Sequence, residues 1–276
     1  MIAAAQLRGG ESCDVISPQP SEQLFLSVSA LLFVASAALT VVWCGRMSSM
    51  PGMPMPGGWK MSMTWMRMPG ETWLHAAASF VAMWIIMMAA MMLPSLIPVL
   101  RSYRRVLRGE GESRLALLTA LVGVGYFFVW TVFGAALFPL GASIASLEMR
   151  IPALARSVPV MAGAVALIAG ALQFTPWKMH HLACCRQSPP CGHALPSHVG
   201  AWRHGISRGI HCSYCCANLT VILLVIGVMD LRAMVLVTAA ITAERLAPEG
   251  RNVARLLGVL IVGAGLFLIA RATALA

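Results

Sequence analysis

From residue 115 to residue 147 the chain carries no charged side chain. About 18 apolar residues suffice for a helix to cross the hydrocarbon core of a bilayer, and this run exceeds that length. Comparable runs lie at 24–44, 72–100 and 157–177, and shorter ones at 209–229, to about 246, and at 253–270. Only 11% of the residues are charged and mean hydropathy is +0.78. A soluble domain carries about 25% charged residues, so this chain lacks the polar surface to cover itself. Inside a bilayer each backbone polar group must be satisfied within its own segment, which restricts spans without strand alternation to helices. The expected fold is therefore an all-α polytopic membrane protein with about seven transmembrane helices, or six if the short sixth run does not cross.

Residues 1–23 form a polar tail and 24–276 a single transmembrane helical domain. The tail lacks a basic-then-apolar signal pattern, so the first run is expected to remain as a span. Pro94 and Pro98 should bend or end the second run, and Pro139 with Gly141 should break the third. Orientation follows from lysine and arginine placement. With the loop holding Arg101, Arg104, Arg105, Arg108 and Arg114 in the cytoplasm, thirteen of the twenty basic residues lie inside. The N-terminus is then cytoplasmic, residues 45–71 form an outer loop, and residues 178–212 form an inner one. The net charge of +10 thus sets topology, and nucleic acid is excluded as a partner because no basic face of a soluble domain exists.

The two loops carry different sulfur chemistry. The outer one holds Met47, Met50, Met53, Met55, Met61, Met63, Met66 and Met68 among prolines and glycines. Thioethers are neutral and form no disulfides, so they bind soft Cu(I) in an oxidising space, whereas thiolates survive in a reducing one. Met53 and Met55, beside Pro and Gly with no core to fill, are candidate ligands. The inner segment, 178–216, gathers six of the eight cysteines and six of the seven histidines. Cys212, Cys215 and Cys216 stand at i, i+3 and i+4, and His180, His181, Cys184 and Cys185 repeat that spacing, so facing helical pairs could close a metal cage. Between the loops, Met83, Met87 and Met91 recur every four residues, as do Met88 and Met92, stacking thioethers along one helix. Methionine is also an ordinary gap-filling core residue, and a membrane-border cysteine is often a small hydrophobe. Glu244 reads as an interfacial carboxylate beside Arg245, and Asp230 with Arg232 as the cap of a tight turn.

Four of these stretches carry a resemblance. The run Trp84-Ile-Ile-Met87-Met88-Ala-Ala-Met91-Met92-Leu-Pro94-Ser95 is similar to the W-x-x-M-x-x-A-M-M-x-P-S signature of the bacterial predicted metal-binding integral membrane proteins, a domain of unknown function. Lys178-x-x-His181-Leu182-x-x-Cys185-Arg186 resembles that family's K-x-x-C-L-x-x-C-R, with histidine where the pattern has cysteine. Gly209-x-x-Cys212-x-x-Cys215-Cys216 and Glu244-Arg245-x-x-Pro248-x-Gly250 resemble its remaining two motifs. The resemblance implies a multi-span fold and metal binding, and leaves reaction and partner open.

The expected function is soft-metal handling at the bacterial cytoplasmic (inner) membrane. Cu(I) would pass from the outer methionines along Met83, Met87 and Met91 to His181, Cys184, Cys185, Cys212, Cys215 and Cys216, with zinc the alternative metal. No catalytic constellation is present. The expected partners are the lipid bilayer and a metallochaperone or other membrane subunits. The rival readings are an accessory structural subunit with a zinc or empty site, and a thiol redox enzyme, for which the thioredoxin-like βαβ context is missing.

Overall fold

The protein is described by a computed structural model, which covers residues 20–48, 52–67, 70–107, 109–186 and 197–274. Cys13, Met50, Met68, Arg108, Cys191 and His193 lie outside the described residues. Eight helices account for nearly all of the described chain: α1 (Pro20–Ser48), α2 (Trp73–Val106), α3 (Glu112–Arg150), α4 (Pro152–Leu172), α5 (Pro176–Arg186), α6 (His198–Ile226), α7 (Leu231–Leu246) and α8 (Gly250–Ala274). Between α1 and α2 sits a two-residue antiparallel hairpin, β1 (Met53–Pro54) and β2 (Lys60–Met61), with Met53 opposite Met61.

All-α polytopic architecture is what the uncharged runs required. Six helices, α1, α2, α3, α4, α6 and α8, are long and apolar enough to cross a membrane, so the count is the lower of the two expected. The sixth run becomes α7, whose 16 residues rise only about 24 Å, short of a full hydrocarbon core.

The expected break in the third run does not occur, because packing overrides a local helix-breaking signal. Helix α3 runs unbroken through Pro139 and Gly141. The proline removes a single rung of the ladder, and Gly141 is a seat: a Cβ there would enter the Trp65 ring. Helix α2 likewise continues through Pro94 and Pro98 to Val106. The Cys/His segment is largely helical, since α6 starts at His198 rather than near 209, capped by Ser197 accepting from the Gly200 N–H at 3.0 Å.

Close approaches fix the directions of the bundle. Trp84 of α2 lies against Gly134 and donates its indole N–H to the Trp130 carbonyl at 2.9 Å, and Phe80 meets Phe138, so α2 and α3 run antiparallel. Gly205 packs on Val122 and Gly209 on Tyr126, which makes α3 and α6 parallel. A Cβ on Gly205 would collide with the Val122 carbonyl, a backbone atom that cannot rotate away. Gly205→Val is therefore expected to cost about 1–3 kcal/mol of unfolding free energy, as overpacking does. Gly123→Ala, with nothing within 4 Å, should be neutral or slightly stabilising. Denaturant midpoints of both variants in detergent check this.

The hairpin has a small core of its own. Met55 and Met61 are buried with Ala145 and Ala155 at the α3–α4 junction, and the Trp59 indole donates to the Ala155 carbonyl at 2.8 Å. Met53 is half-buried against the same cluster. These methionines do have a core to fill, contrary to the premise that singled them out.

Candidate metal centre

The centre is built where α6 crosses between α2, α3, α5 and α7. Cys212, Cys215 and Cys216 all lie on the inward face of α6 and are fully buried. The close approach at Gly209 sets Tyr126 of α3 against this face, and its hydroxyl donates to the Cys212 sulfur at 2.9 Å. From α7 the Arg245 guanidinium donates to the same sulfur at 3.2 Å and to Ser95 Oγ of α2 at 2.9 Å. From α2, Met92 places its thioether sulfur 4.0 Å from Cys212 Sγ. Two strong donors on one buried sulfur supply countercharge and hydrogen bonds for a thiolate.

The thiols form a chain. Cys212 Sγ lies 3.8 Å from Cys216 Sγ, and Cys215 is hydrogen-bonded to Cys216 and to Cys185 of α5. Cys185 also donates to the His211 carbonyl at 3.3 Å. Hydrogen bonding to Cys215, then burial, pushes the Cys185 thiol well up from its ordinary value. Metal–sulfur bonds of about 2.3 Å hold two ligand sulfurs about 3.8 Å apart at a tetrahedral centre, the separation seen between Cys212 and Cys216. Among the described residues, no three histidine, cysteine, aspartate or glutamate side chains converge as a finished ion cage. The donor set suits a soft ion, and the sulfurs are linked in a line rather than arranged around a point.

The two faces of α5 diverge. Cys185 turns into the thiol chain, whereas Cys184 pairs with exposed His180 on its other side, Sγ to Nε2 at 3.7 Å. His181 lies between them, edge-on to Trp177 and within 6.3 Å of the His211 ring. Burial, with His180 and His211 beside it, pushes His181 below its usual value. Its buried Nδ1, and that of His211, have no hydrogen-bond partner. A neutral imidazole in this position is ligand-competent. Cys184 thus stands apart from the thiol chain, and Met92 adjoins it.

Beneath the thiols lies an ion pair between residues 66 positions apart. Glu244 is not interfacial: its carboxylate is 2% exposed and accepts from Lys178 Nζ, itself 0% exposed, at 2.8 Å. Gln173 donates to its other oxygen at 2.8 Å, and Lys178 also donates to the Cys215 carbonyl at 2.6 Å and to Asn218 Oδ1 at 3.4 Å. All three ammonium hydrogens are therefore used. Burial alone would have been costly, and the partners on α5 and α6 that offset it are invisible from residue 244. Arg186 completes the join by donating to the carbonyls of Glu244, Ala247 and Pro248 at the end of α7. Gly250 is glycine because a Cβ would strike that guanidinium. The motifs at 178–186 and 244–250 are thus one structure. Asp230, expected with Arg232 to cap the tight turn, is the N-cap of α7, accepting from the Ala233 N–H at 2.9 Å.

Residues 81–268 match the family described as PpoB2, copper chaperone. The chain belongs to that family. Copper handling follows as its general function. No curated protein and no solved structure matches the chain. The PpoB2 segment contains the methionine ladder Met83, Met87 and Met91, the thiol chain, and the Lys178–Glu244 pair. It leaves out α1 and the hairpin with Met53 and Met55. Tyr126, Ser95, Arg245 and His211 are the site residues that sequence reasoning did not single out, while Met92 entered only as part of the second thioether column. Met92 and Ser95 sat inside a quoted motif and Arg245 beside a suspected acid, while Tyr126 carried no signal in its uncharged run.

Proposed function

We propose that the protein is a multi-pass protein of the bacterial cytoplasmic membrane that passes Cu(I) from its methionine-rich outer side to the Cys/His centre. With α1 entering from the cytoplasm, the hairpin lies outside, and α2 leads inward from it. The buried thioethers Met83, Met87, Met88, Met91 and Met92 form a ladder along α2. The observation that carries the reading is the junction at its foot, where Met92 Sδ comes within 4.0 Å of Cys212 Sγ. A soft ion leaving neutral thioethers there meets tighter thiolate ligands. Beyond the thiols, Cys185 leads to His181 and His211 on the cytoplasmic side, where a soluble metallochaperone or another membrane subunit would receive it.

The test is the copper content of the full-length protein purified under reducing conditions, for the parent chain and for Cys212→Ser/Cys215→Ser. The double variant is expected to lose at least one equivalent. Equal copper in the two sinks the thiol centre.

A further inference from the structure

Part of the sulfur chemistry is not absorbed by this centre. Cys44, near the end of α1, is buried against α2. It lines a small cavity of about 10 Å³ together with Met83 and Met87 of α2, Met229 of the α6–α7 turn and Met234 of α7. Five sulfur-bearing side chains from four segments thus surround one void. Of the five, only Met87 belongs to a quoted motif, and Cys44 lies outside the PpoB2 segment.

We propose that this cavity is a second soft-metal site, a Cys/Met station for one monovalent d10 ion. It deepens the reading above and rests on it, because it supplies the step before the thiol centre.

The size of the void is about that of one water-sized sphere. Water would find few partners there. The lining is almost wholly apolar or thioether, and the one nearby hydroxyl, Thr40, already donates to the Ser36 carbonyl at 2.8 Å. A soft ion finds several polarizable sulfurs instead. The thioethers are neutral, so the lining offers little charge against a bound ion, and a monovalent ion leaves less uncompensated charge in the apolar interior than a divalent one. Binding is ligand exchange without electron transfer. The exit is also in place. Met87 and Met92 are five residues apart on α2, a rise of about 7.5 Å, so the cavity stands about one and a half turns above the contact with Cys212.

Equilibrium dialysis of the full chain against Ag(I), a redox-inert probe of Cu(I) sites, with bound silver counted by mass spectrometry, tests this. Met83→Leu/Met87→Leu/Met234→Leu conserves volume and is expected to bind one equivalent fewer than the parent. It should keep the equivalents that Cys212→Ser/Cys215→Ser removes. Equal silver in the triple variant and the parent overturns the cavity site. Full silver retention by the double cysteine variant strikes the thiol centre and leaves the cavity standing. If the triple variant does not fold, Cys44→Ala decides. A drop of at least tenfold in the affinity of one equivalent supports the site, and an unchanged isotherm overturns it.

Discussion

Glu244→Ala is expected to destabilise the protein by about 3–5 kcal/mol, the usual cost of leaving one partner of a buried pair uncompensated. The reason lies in Lys178. Its ammonium is fully enclosed and spends its three hydrogens on Glu244, Asn218 and the Cys215 carbonyl, and only Glu244 neutralises its charge. The remedy distinguishes this account from simple loss of packing. Lys178→Met/Glu244→Leu removes both charges while keeping apolar bulk, and should recover most of the loss, since buried pairs exchange for hydrophobic residues at little cost. Denaturant unfolding in detergent measures the cycle. A double variant as unstable as Glu244→Ala would mean that the surrounding hydrogen bonds, rather than the charge, hold α5 and α7 to α6.

The second large effect concerns affinity. Arg245→Ala removes one of the two donors on the Cys212 sulfur and frees Ser95. Outer partners that orient a metal ligand are typically worth 10–100-fold in affinity, and a loss in that range is expected for Cu(I) at the thiol centre. Arg245→Lys should not restore it. One guanidinium nitrogen bridges Ser95 and Cys212 from a planar fork, whereas an ammonium is a compact, strongly hydrated point charge. Competition with a chromophoric Cu(I) chelator reads both variants. An unchanged affinity for Arg245→Ala would show that Tyr126 suffices.

The parts of the molecule that the sequence revealed are those governed by near neighbours in the chain. The uncharged runs required helices, and the i, i+3, i+4 spacing put Cys212, Cys215 and Cys216 on one buried face. What could not be read depends on meetings between distant segments. Glu244 looked interfacial because its partner is 66 residues away, and Cys184 looked like a ligand because spacing alone does not say which side of α5 faces inward. The unbroken helix at Pro139 shares this origin. A proline signals its own missing hydrogen bond, not the packed side chains that hold the rest of the helix. The early start of α6 was hidden by polar composition, since Arg203, His204 and Arg208 resemble a loop until Tyr103 of α2 is stacked on His204 and the Cys184 carbonyl of α5 accepts from Arg208.

The contact between Arg245 and Cys212 joins residues 33 positions apart, and the ribosome delivers the cysteine first. During synthesis the three thiols of α6 therefore exist for a time without the guanidinium that is later set against them. The surroundings of the Cys212 sulfur are completed late, only after α7 has docked and set Arg245 against it and against Ser95.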